Sequence, residues 1–352
     1  MDKIDFVLPW VDSSDTLWQE DKLLYERKYN NDDRDNSTRF RDTNTLKYVL
    51  RSIEKNCPWY HKIYLITIGH TPPWLNVSHP KIELITHQEL FIDETALPVF
   101  NSNAIEMNLI NIPRLSEKFI YLNDDMLIWK PVVMQRFFKN NKPVDFFSHS
   151  FIPRNKFYEF LKGKNTWVDS INNNIKLLNR NIPQQSPMNS TQLYHHSYRT
   201  KQKINNFIYQ YLYKKLVWIN HWHHPQPYLK TTIEETYNSY KTEMHKTAMH
   251  KFRSSNDITP YLYRYSHLMK GNFEPYAHND GLVVKISSFK YLKKMIPKIK
   301  QSKHINFVCF NDQMTHVDRN EFQETTNFLE TYLENIFPHK ASFENTQSNI
   351  NG

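Results

Sequence analysis

The sequence is poor in glycine and cysteine, and both shortages exclude classes of site. It has five glycines and contains neither a GxGxxG nor a Walker-type motif, which argues against a glycine-rich phosphate loop. The two cysteines, Cys57 and Cys309, match no metal-ligand spacing, so a disulfide framework is not expected. We expect both cysteines in the core and the protein in a reducing compartment.

Long apolar runs are also missing. No stretch of about 18 uncharged apolar residues occurs, and Met1 leads directly into IDFVLPWV without the features of a signal peptide. The sequence therefore predicts a cytoplasmic protein. Peripheral association at the inner face of the cytoplasmic membrane stays open, with the helical stretch near FIYQYLYKKLVWI as the candidate amphipathic face; a helix packed on the core is the alternative.

Positive charge exceeds negative charge. The chain has 45 Lys and Arg against 36 Asp and Glu, a formal net charge of +9. Such a surface attracts nucleotides, polyanionic glycans or acidic lipids, although a generally basic and soluble surface is the alternative. The arginine–aromatic interleaving of a nucleic-acid module is absent, so no nucleic-acid partner is expected.

Short apolar segments alternate with segments of helical periodicity. In LKYVLRSIEKNC, for example, Leu46, Val49, Leu50 and Ile53 share one helical face. This alternation favours an α/β sheet whose strand-end loops form the default site. The other predicted elements are strands in residues 4–11, KIYLITI, HPKIELITH, FIYLNDD, GLVVKI and NFVCFND, and a helix in FNSNAIEMNLINI capped by Asn101 or Ser102.

One stretch differs in composition from the rest. Residues 156–218 are rich in Asn, Gln, Lys and Tyr with helical spacing. We predict a largely helical insertion there, within a single catalytic domain over residues 1–337. Residues 338–352 are polar and are expected to form a flexible tail.

Two adjacent carboxylates, Asp124 and Asp125, end the apolar run FIYLNDD. Buried acids are costly unless they are paired or bind a cation. Neighbouring side chains of a strand point to opposite faces, so both acids serve one site only if the strand ends at Asn123. The functional interpretation is a Mg2+ (or Mn2+) site, and an Asx turn or a helix cap is the alternative.

Three histidines, His221, His223 and His224, precede Pro225, and the segment cannot be helical immediately before this proline. Zinc is one interpretation, although no second Cys/His cluster completes a tetrahedral set. A general base is the other, because histidine titrates near neutrality without tuning. Two of the three would then be capping or surface residues.

Arginines stand in two polar segments. RFRD precedes a helix, so Arg39 and Arg41 can clamp phosphate, while Asp42 is by default a helix N-cap. KFRSSND offers Arg253 in a similar context. Each residue alone is more often structural than catalytic.

The strand predicted in FVCFND ends in Asn311 and Asp312, as FIYLND ends in Asn and Asp. Two strands with this ending suggest polar edges that converge. The two segments are therefore candidates for one site.

Taken together, these stretches resemble the Stealth family of hexose-1-phosphate transferases, which includes bacterial capsular polysaccharide phosphotransferases and the animal GlcNAc-1-phosphotransferase acting on lysosomal glycoproteins. The resemblance extends over residues 4–314 and leaves out the helical stretch in the middle and the tail. The blocks that carry it, in order, are IDFVLPWVDSSD; RFRDTNTLKYVLRSIEKNCPWYHKIYLIT with PPWLNVSHPKIELITHQELF, FNSNAIE and RLSEKFIYLNDDM; HHPQPY with KFRSSNDI; and FVCFNDQM.

The resemblance implies a Rossmann-like, GT-A-type sugar-nucleotide fold. It also implies transfer of a hexose 1-phosphate from a UDP-hexose donor to a hydroxyl of a polysaccharide or oligosaccharide acceptor, with release of UMP. The animal enzyme's large accessory modules are absent, which favours synthesis of a bacterial polymer.

The resemblance also implies roles for particular residues. The family's catalytic positions fall on His223, Arg253, Asp42 and Asp312. The positions expected to bind substrate are Trp10, Val11, Asp12, Arg39, Asn103 and Asn311. The metal is assigned to Asp124 and Asp125 on chemical grounds, and Asp42 with Asp312 is a rival pair.

Two departures from the family pattern concern the predicted donor site. Ser13 replaces a glycine that would let the backbone approach the donor closely. ITIGHTPPWL differs from the more usual TDGQ-like turn.

Two other functions remain alternatives: a metal-dependent glycosyltransferase that transfers the sugar alone and releases UDP, and a noncatalytic glycan-binding or nucleic-acid-binding protein.

Overall fold

The computed structural model describes residues 2–29, 40–180, 187–315 and 317–345. The strands, in chain order, are β1 (Ile4–Pro9), β2 (Ile63–Thr67), β3 (Ile82–Thr86), β4 (Lys118–Tyr121), β5 (Met126–Ile128), β6 (Phe138–Lys139), β7 (Lys142–Asp145), β8 (His149–Ser150), β9 (Trp218–Ile219), β10 (Gln226–Leu229), β11 (Glu274–Pro275), β12 (Gly281–Ile286) and β13 (Phe307–Asp312). The helices are α1 (Thr16–Tyr29), α2 (Leu46–Asn56), α3 (His87–Leu90), α4 (Ser102–Glu106), α5 (Lys156–Lys162), α6 (Thr166–Arg180), α7 (Ser190–Tyr194), α8 (Thr200–Ile208), α9 (Lys230–Ala248), α10 (Tyr261–Met269), α11 (Phe289–Gln301) and α12 (Arg319–Ile336).

The main sheet has the strand order β10-β4-β1-β2-β3. β1 pairs in parallel with β2 and β4, β2 pairs in parallel with β3, and β10 joins β4 antiparallel. Every residue of β2 is buried, and so is every residue of β1 except Pro9, as expected for strands covered on both faces. This mostly parallel sheet confirms the α/β class predicted from the sequence.

Two hydrophobic clusters cover the two faces of the main sheet. Phe6 and Leu8 of β1 point into one cluster, which includes residues of α2, α11 and α12. Val7 points into the other, which includes residues of α6, α9 and α10. Side chains alternate between the clusters because a strand has a period of two.

β5 leads the chain from the main sheet to a second sheet. It pairs antiparallel with β13, which pairs in parallel with β12. Residues 122–125 alone separate β4 from β5. The acids of FIYLNDD therefore lie at the junction of two sheets, beside the carboxyl end of β13.

Local signals account for most element boundaries. β4 ends at Tyr121, and Met126 N–H donates to the carbonyl of Asn123 at 3.1 Å, so both acids lie in a turn. The predicted cap of α4 is confirmed, since the Asn101 side chain accepts from a backbone N–H of the first turn. The helix predicted over FNSNAIEMNLINI instead splits into α4 and a 3-10 turn over Leu109–Asn111, where the Asn108 side chain donates to the helix backbone and competes with its continuation.

The predicted insertion, residues 156–218, contains α5 to α8, and α8 continues into a π-helical turn at Tyr209–Tyr213. The short antiparallel pair β8–β9 brings its two ends together, with Ser150 opposite Trp218. Among the helices of the described ranges, none is long and apolar enough to cross a membrane.

The end of the chain packs on α2 as far as residue 345, which differs from the flexible tail predicted for residues 338–352. Phe343 is fully buried, and Glu344 accepts two hydrogen bonds from Arg51 at 2.6 and 2.8 Å. A buried arginine needs such a carboxylate, and this need holds the segment in place. Residues 346–352 lie outside the described ranges.

Candidate active site

The carboxyl ends of β1, β2 and β4 lie along one edge of the main sheet, because these strands are parallel. Ligands of α/β sheets bind at this edge. The loops that begin there carry Trp10 to Asp12, then Gly69 and His70, and finally Asp124 with Asp125. The site is built outward from these three loops.

The loop after β1 is fastened to the loop after β2. The Asp12 N–H donates to His70 Nδ1 at 3.0 Å, and Asp12 Oδ1 accepts from the N–H and hydroxyl of Ser14 at 2.9 and 2.6 Å. Gly69 has a φ of +120°, a conformation that favours glycine. The unusual GHT turn thus positions the backbone of the predicted donor loop.

Asp42, which lies about thirty positions later in the chain, is hydrogen-bonded to the loop after β1. Trp10 Nε1 donates to Asp42 Oδ2 at 2.9 Å, and the Asp42 N–H donates to the Ser13 hydroxyl at 3.0 Å. Thr45, not Asp42, occupies the N-cap of α2, and Asp42 Oδ1 accepts from the Asn44 N–H in an Asx turn. The default N-cap interpretation of Asp42 is therefore wrong, and Ser13, where the family pattern has glycine, supplies a bond that glycine lacks.

Carboxylates crowd at this edge. Burial raises the pKa of Asp124 well above its usual range, and the negative charges of Asp42 and Asp125 raise it further. Burial also raises the pKa of Asp42, with a contribution from Asp12, while hydrogen bonds from Trp10 and the Asn44 backbone oppose the rise. A cation bound here would relieve both penalties.

Asp125 is aligned by β13. Its carbonyl accepts from the Phe310 N–H at 3.0 Å, and its Oδ2 lies 3.3 Å from Cys309 Sγ and 3.5 Å from Asn311 Nδ2. Its Oδ1 is buried and has no hydrogen-bond partner among the described residues. An orphaned carboxylate oxygen of this kind is suited to a cation.

His223 reaches the same place from the segment between β9 and β10. One ligand atom each from Asp125, His223 and Cys309 lies within 4.8 Å of the others. His223 is half-buried, so part of it remains exposed to solvent. Two predicted site residues from different blocks, Asp125 and His223, are thereby brought together.

The flanking histidines pack into the protein. The His221 ring lies 4.4 Å from that of Tyr261, and burial lowers the pKa of His221 to about 3. His224 packs on Gly281 so closely that a Cβ there would come within 2.0 Å of His224 Nε2, and burial lowers the pKa of His224 to about 4. Of the three histidines, His223 belongs to the group of possible metal ligands found among the described residues, and the other two pack against neighbouring residues.

The carboxylates beside Asp125 are suited to a hard cation. Burial and the neighbouring Asp125 raise the pKa of Cys309 well above its usual range, and its thiol donates to Asp125 Oδ2 at 3.3 Å. Asp124 and Asp125 carry carboxylate oxygens of the kind that Mg2+ or Mn2+ prefers, and Asp42 is close enough to raise the pKa of Asp124. The residues present therefore fit the expected cation.

Arg253 lies on the other side of the predicted donor loop. Its Nη2 donates to the Ser102 hydroxyl at 2.6 Å. The preceding residue, Phe252, belongs to an aromatic cluster against which Val11 and Phe40 pack. This cluster places Arg253 next to the loop after β1.

Asn103 is buried beneath this arginine segment. Its Nδ2 donates to Asp257 Oδ2 at 3.2 Å, and Asn101 Nδ2 donates to the same oxygen at 2.9 Å. His250 Nδ1 lies 2.6 Å from Asp257 Oδ1, and the Ser254 N–H donates to Asp257 Oδ2 at 3.1 Å. Asn103 thus helps to order the KFRSSND segment.

Glu106 is not among the site residues predicted from the sequence. It ends α4, is buried, and accepts a hydrogen bond from the Tyr121 hydroxyl. Burial raises its pKa to about 7, although that bond and the positive charge of Arg253 oppose the rise. Its position as an acid in the apolar run AIEM is the signal that could have identified it.

Asp312 has a different environment. Its Oδ2 accepts from Arg41 Nε and Nη2 at 3.0 and 2.7 Å, and its Oδ1 accepts from the Met314 N–H at 2.8 Å. Arg41 also stacks 4.4 Å from the centre of the Phe322 ring. Arg39 lies outside the described residues, so its predicted role has no structural account.

Family models match three parts of the chain. The descriptions are Stealth protein CR2, conserved region 2, over residues 39–146; Stealth protein CR3, conserved region 3, over residues 222–270; and Stealth protein CR4, conserved region 4, over residues 297–352. Asp42, Asp124, His223 and Asp312 lie within these regions.

Named proteins are similar over nearly the whole chain. Capsular polysaccharide phosphotransferase WcwK of Streptococcus pneumoniae is 35% identical, with 98% of each chain covered. Exopolysaccharide phosphotransferase cps2G of Lactiplantibacillus plantarum is 32% identical, with 97% of this chain and 96% of that one covered. Receptor polysaccharide phosphotransferase WefC of Streptococcus gordonii is 30% identical, with 98% and 99% covered.

Among solved structures, the likeness is distant. Galactosyltransferase LgtC, in complex with donor and acceptor sugar analogues, matches with 9% identity and a TM-score of 0.35 over 92% of this chain and 95% of that chain. Apo-form glycosyltransferase GlyE of Streptococcus pneumoniae matches with 10% identity and a TM-score of 0.32 over 94% and 64%.

Proposed function

Because this chain belongs to the Stealth protein family, we propose that it transfers a hexose 1-phosphate from a UDP-hexose to a hydroxyl of a growing capsular or cell-surface polysaccharide, releasing UMP. The broader activity, sugar-phosphate transfer in polysaccharide synthesis, is the one that its relatives' names describe. The donor, the released nucleotide and the residue roles are the proposed part.

One observation carries the proposal: His223 and the carboxylates meet at the carboxyl edge of the main sheet. His223 and Asp125 have ligand atoms within 4.8 Å of each other, and Asp42 lies close enough to Asp124 to raise its pKa. A base beside a cluster of cation ligands is what phosphoryl transfer from a diphosphate donor requires.

His223 acts as the general base in this proposal. The acceptor oxygen attacks the phosphorus that carries the hexose, and its proton passes to His223. The bond from that phosphorus to the oxygen bridging the two phosphates breaks, and its electron pair leaves with UMP. The product is a phosphodiester between the hexose and the acceptor.

Asp124 and Asp125 would hold the Mg2+ (or Mn2+), with Asp42 as a nearby third carboxylate. The cation would neutralise charge on the diphosphate and on the leaving nucleotide. Asp312 is less suited to this role, because Arg41 already pairs with it. Asn311 remains a substrate-binding candidate beside Asp125.

Arg253 would bind the phosphoryl oxygens through its guanidinium group, which suits phosphate geometry. Ser102 positions one of its nitrogens, and the buried Asn103–Asp257 network orders its segment. Trp10, Val11 and Asp12 would line the nucleotide, since Val11 packs against the aromatic cluster that includes Phe252, the residue before this arginine. Asn103 then acts as a positioning residue.

Product analysis tests the proposal. Purified protein is incubated with UDP-hexoses, magnesium and capsule-like oligosaccharides, and the released nucleotide is separated by chromatography. UMP together with a phosphodiester in the product is expected. UDP with no phosphate in the product would instead identify an ordinary glycosyltransferase, and EDTA-insensitive turnover would remove the cation from the mechanism.

A further inference from the structure

Two helical parts of the insertion turn apolar side chains toward solvent. In α5, Phe160 is 85% exposed and Phe157 is 69% exposed, and Leu161 lies beside them. In α8 and its π-helical turn, Leu212 is 73% exposed. We call the exposed apolar set the insertion patch; its members are Phe157, Phe160, Leu161, Ile204, Phe207, Tyr211, Leu212 and Tyr213.

The polarity of α8 is the reverse of that of an ordinary surface helix. Ile204, Phe207 and Tyr211 follow the i, i+3, i+7 spacing of one helical face, and that face is exposed. Asn206 is fully buried instead, where its amide donates to two backbone carbonyls and accepts from the His149 N–H. Packing on the core therefore does not explain the apolar face.

The two parts of the insertion patch lie at one end of the insertion. β8 and β9 are antiparallel with Ser150 opposite Trp218, so the chain leaving β8 toward α5 runs beside the chain that enters β9 from the π-helical turn. The Phe151 and Tyr213 rings lie 5.7 Å apart in this neighbourhood. The chain segments that lead to the two parts of the insertion patch thus lie side by side.

The charge around the insertion patch is predominantly positive. From residue 170 to residue 233 the sequence contains no Asp or Glu, and Glu159 is the sole acid of α5. Exposed lysines flank the insertion patch at Lys156, Lys162, Lys201, Lys214 and Lys215.

We propose that the insertion patch docks on an anionic lipid bilayer. Aromatic and aliphatic side chains at this spacing enter the headgroup boundary, and the flanking lysines pair with lipid phosphates. A second copy of the chain fits less well, because a symmetric interface would place the same lysines opposite each other. This surface is separate from the proposed reaction and does not depend on it.

Vesicle flotation tests the inference on the full chain. The wild type should float with phosphatidylcholine vesicles that contain about 30 mol% phosphatidylglycerol, an anionic content that attracts basic segments, and not with phosphatidylcholine alone. The double variant Phe160→Glu, Leu212→Glu should lose binding at least about tenfold, because two apolar anchors become repelled charges. The pair Lys214→Ala, Lys215→Ala should weaken binding about fivefold or more, in keeping with the contribution of each lysine near an anionic surface.

A matched control uses apolar residues of similar exposure outside the insertion. Leu17 is 73% exposed and Ile92 is 80% exposed, so Leu17→Glu, Ile92→Glu should bind vesicles as the wild type does. Circular dichroism melts verify that all three double variants are folded. The inference is overturned if the wild type does not bind anionic vesicles, if the Leu17→Glu, Ile92→Glu control loses binding as much as the Phe160→Glu, Leu212→Glu variant does, or if light scattering shows a dimer that only the insertion-patch variant dissolves.

Discussion

Two apolar strand segments share an Asn-Asp ending but differ in what surrounds it. FIYLND leads from β4 into Asp124 and Asp125, and FVCFND ends β13 at Asp312. At the first end, no arginine or lysine of the described residues pairs with either acid, and Asp125 Oδ1 lacks a partner. At the second, Arg41 holds the carboxylate through two nitrogens.

The difference shows that a motif's role depends on what its carboxylate meets in the fold. An acid without a protein cation retains its capacity for an external one, whereas an acid with an arginine is already neutralised. The two ends still touch, since the carbonyl of Asp125 accepts from the Phe310 N–H. We therefore interpret the first end as the cation site and the second as its support.

Asp124→Asn should produce the largest effect. Turnover should fall about a thousandfold, because a catalytic cation contributes several kcal/mol of charge stabilisation. Yet the melting temperature in EDTA at pH 8 should rise, since burial and neighbouring carboxylates penalise the Asp124 charge. Steady-state kinetics and thermal melts measure both, with the exposed Asp21→Asn as control. Unchanged turnover would place the cation elsewhere.

His223→Ala should come next, with turnover lowered at least about a hundredfold, as losses of a general base usually are. His304→Ala, at an exposed histidine, serves as the matched control. Kinetics with saturating donor separate turnover from binding. Activity near that of the wild type would remove His223 from the proposed mechanism.

Asp312→Asn should lower turnover less, by about tenfold at most. The reason is that Asp312 supports the cation site and does not itself bind the cation. It should lower the free energy of unfolding by about 1–3 kcal/mol, because the Arg41 guanidinium loses a charged hydrogen-bond partner. Urea unfolding and kinetics test the pair of effects. A turnover loss equal to that of Asp124→Asn would erase the contrast between the strand ends and restore Asp42 with Asp312 as the cation pair.

Glu106 offers a third kind of carboxylate, kept uncharged by burial. Its pKa is raised to about 7 from an ordinary 4.5, so between these values the folded chain binds a proton that the unfolded chain releases. Its contribution to stability is therefore present below pH 4.5 and falls as the pH rises to 7, by up to about 3 kcal/mol.

Glu106→Gln should remove this dependence. As the pH rises from 4.5 to 7.5, the free energy of unfolding of the variant should increase relative to that of the wild type. Urea unfolding at each pH measures this difference. The exposed Glu94→Gln should leave the profile unchanged. Parallel profiles for Glu106→Gln and the wild type would show that Glu106 is ionised in the folded protein.

Local pattern was enough to predict the strands and the turn that holds the acids. The apolar run of β4 stops before Asp124, and Asn101 caps α4, because both depend on neighbouring residues. Long-range pairings could not be derived in this way. Arg41 and Asp312 lie 271 positions apart, and Trp10 meets Asp42 only after β1 and α2 have packed.

The burial of individual side chains could not be predicted from the sequence either. Three histidines occur within four positions, and only the fold distinguishes the half-buried His223 from His224, which is packed on Gly281. The same holds for Phe343, which lies in a polar segment yet is fully buried. Composition describes a segment as a whole, whereas packing acts on single side chains.

The contact between Arg51 and the end of the chain bears on the order of folding during synthesis. The buried guanidinium pairs with Glu334 and Glu344, which leave the ribosome long after α2. Until then the nascent α2 carries an arginine whose native carboxylate partners do not yet exist. Glu344, which follows Arg51 by 293 positions in the chain, thus completes the packing of α2, so this side of the fold closes only after that later segment has been made.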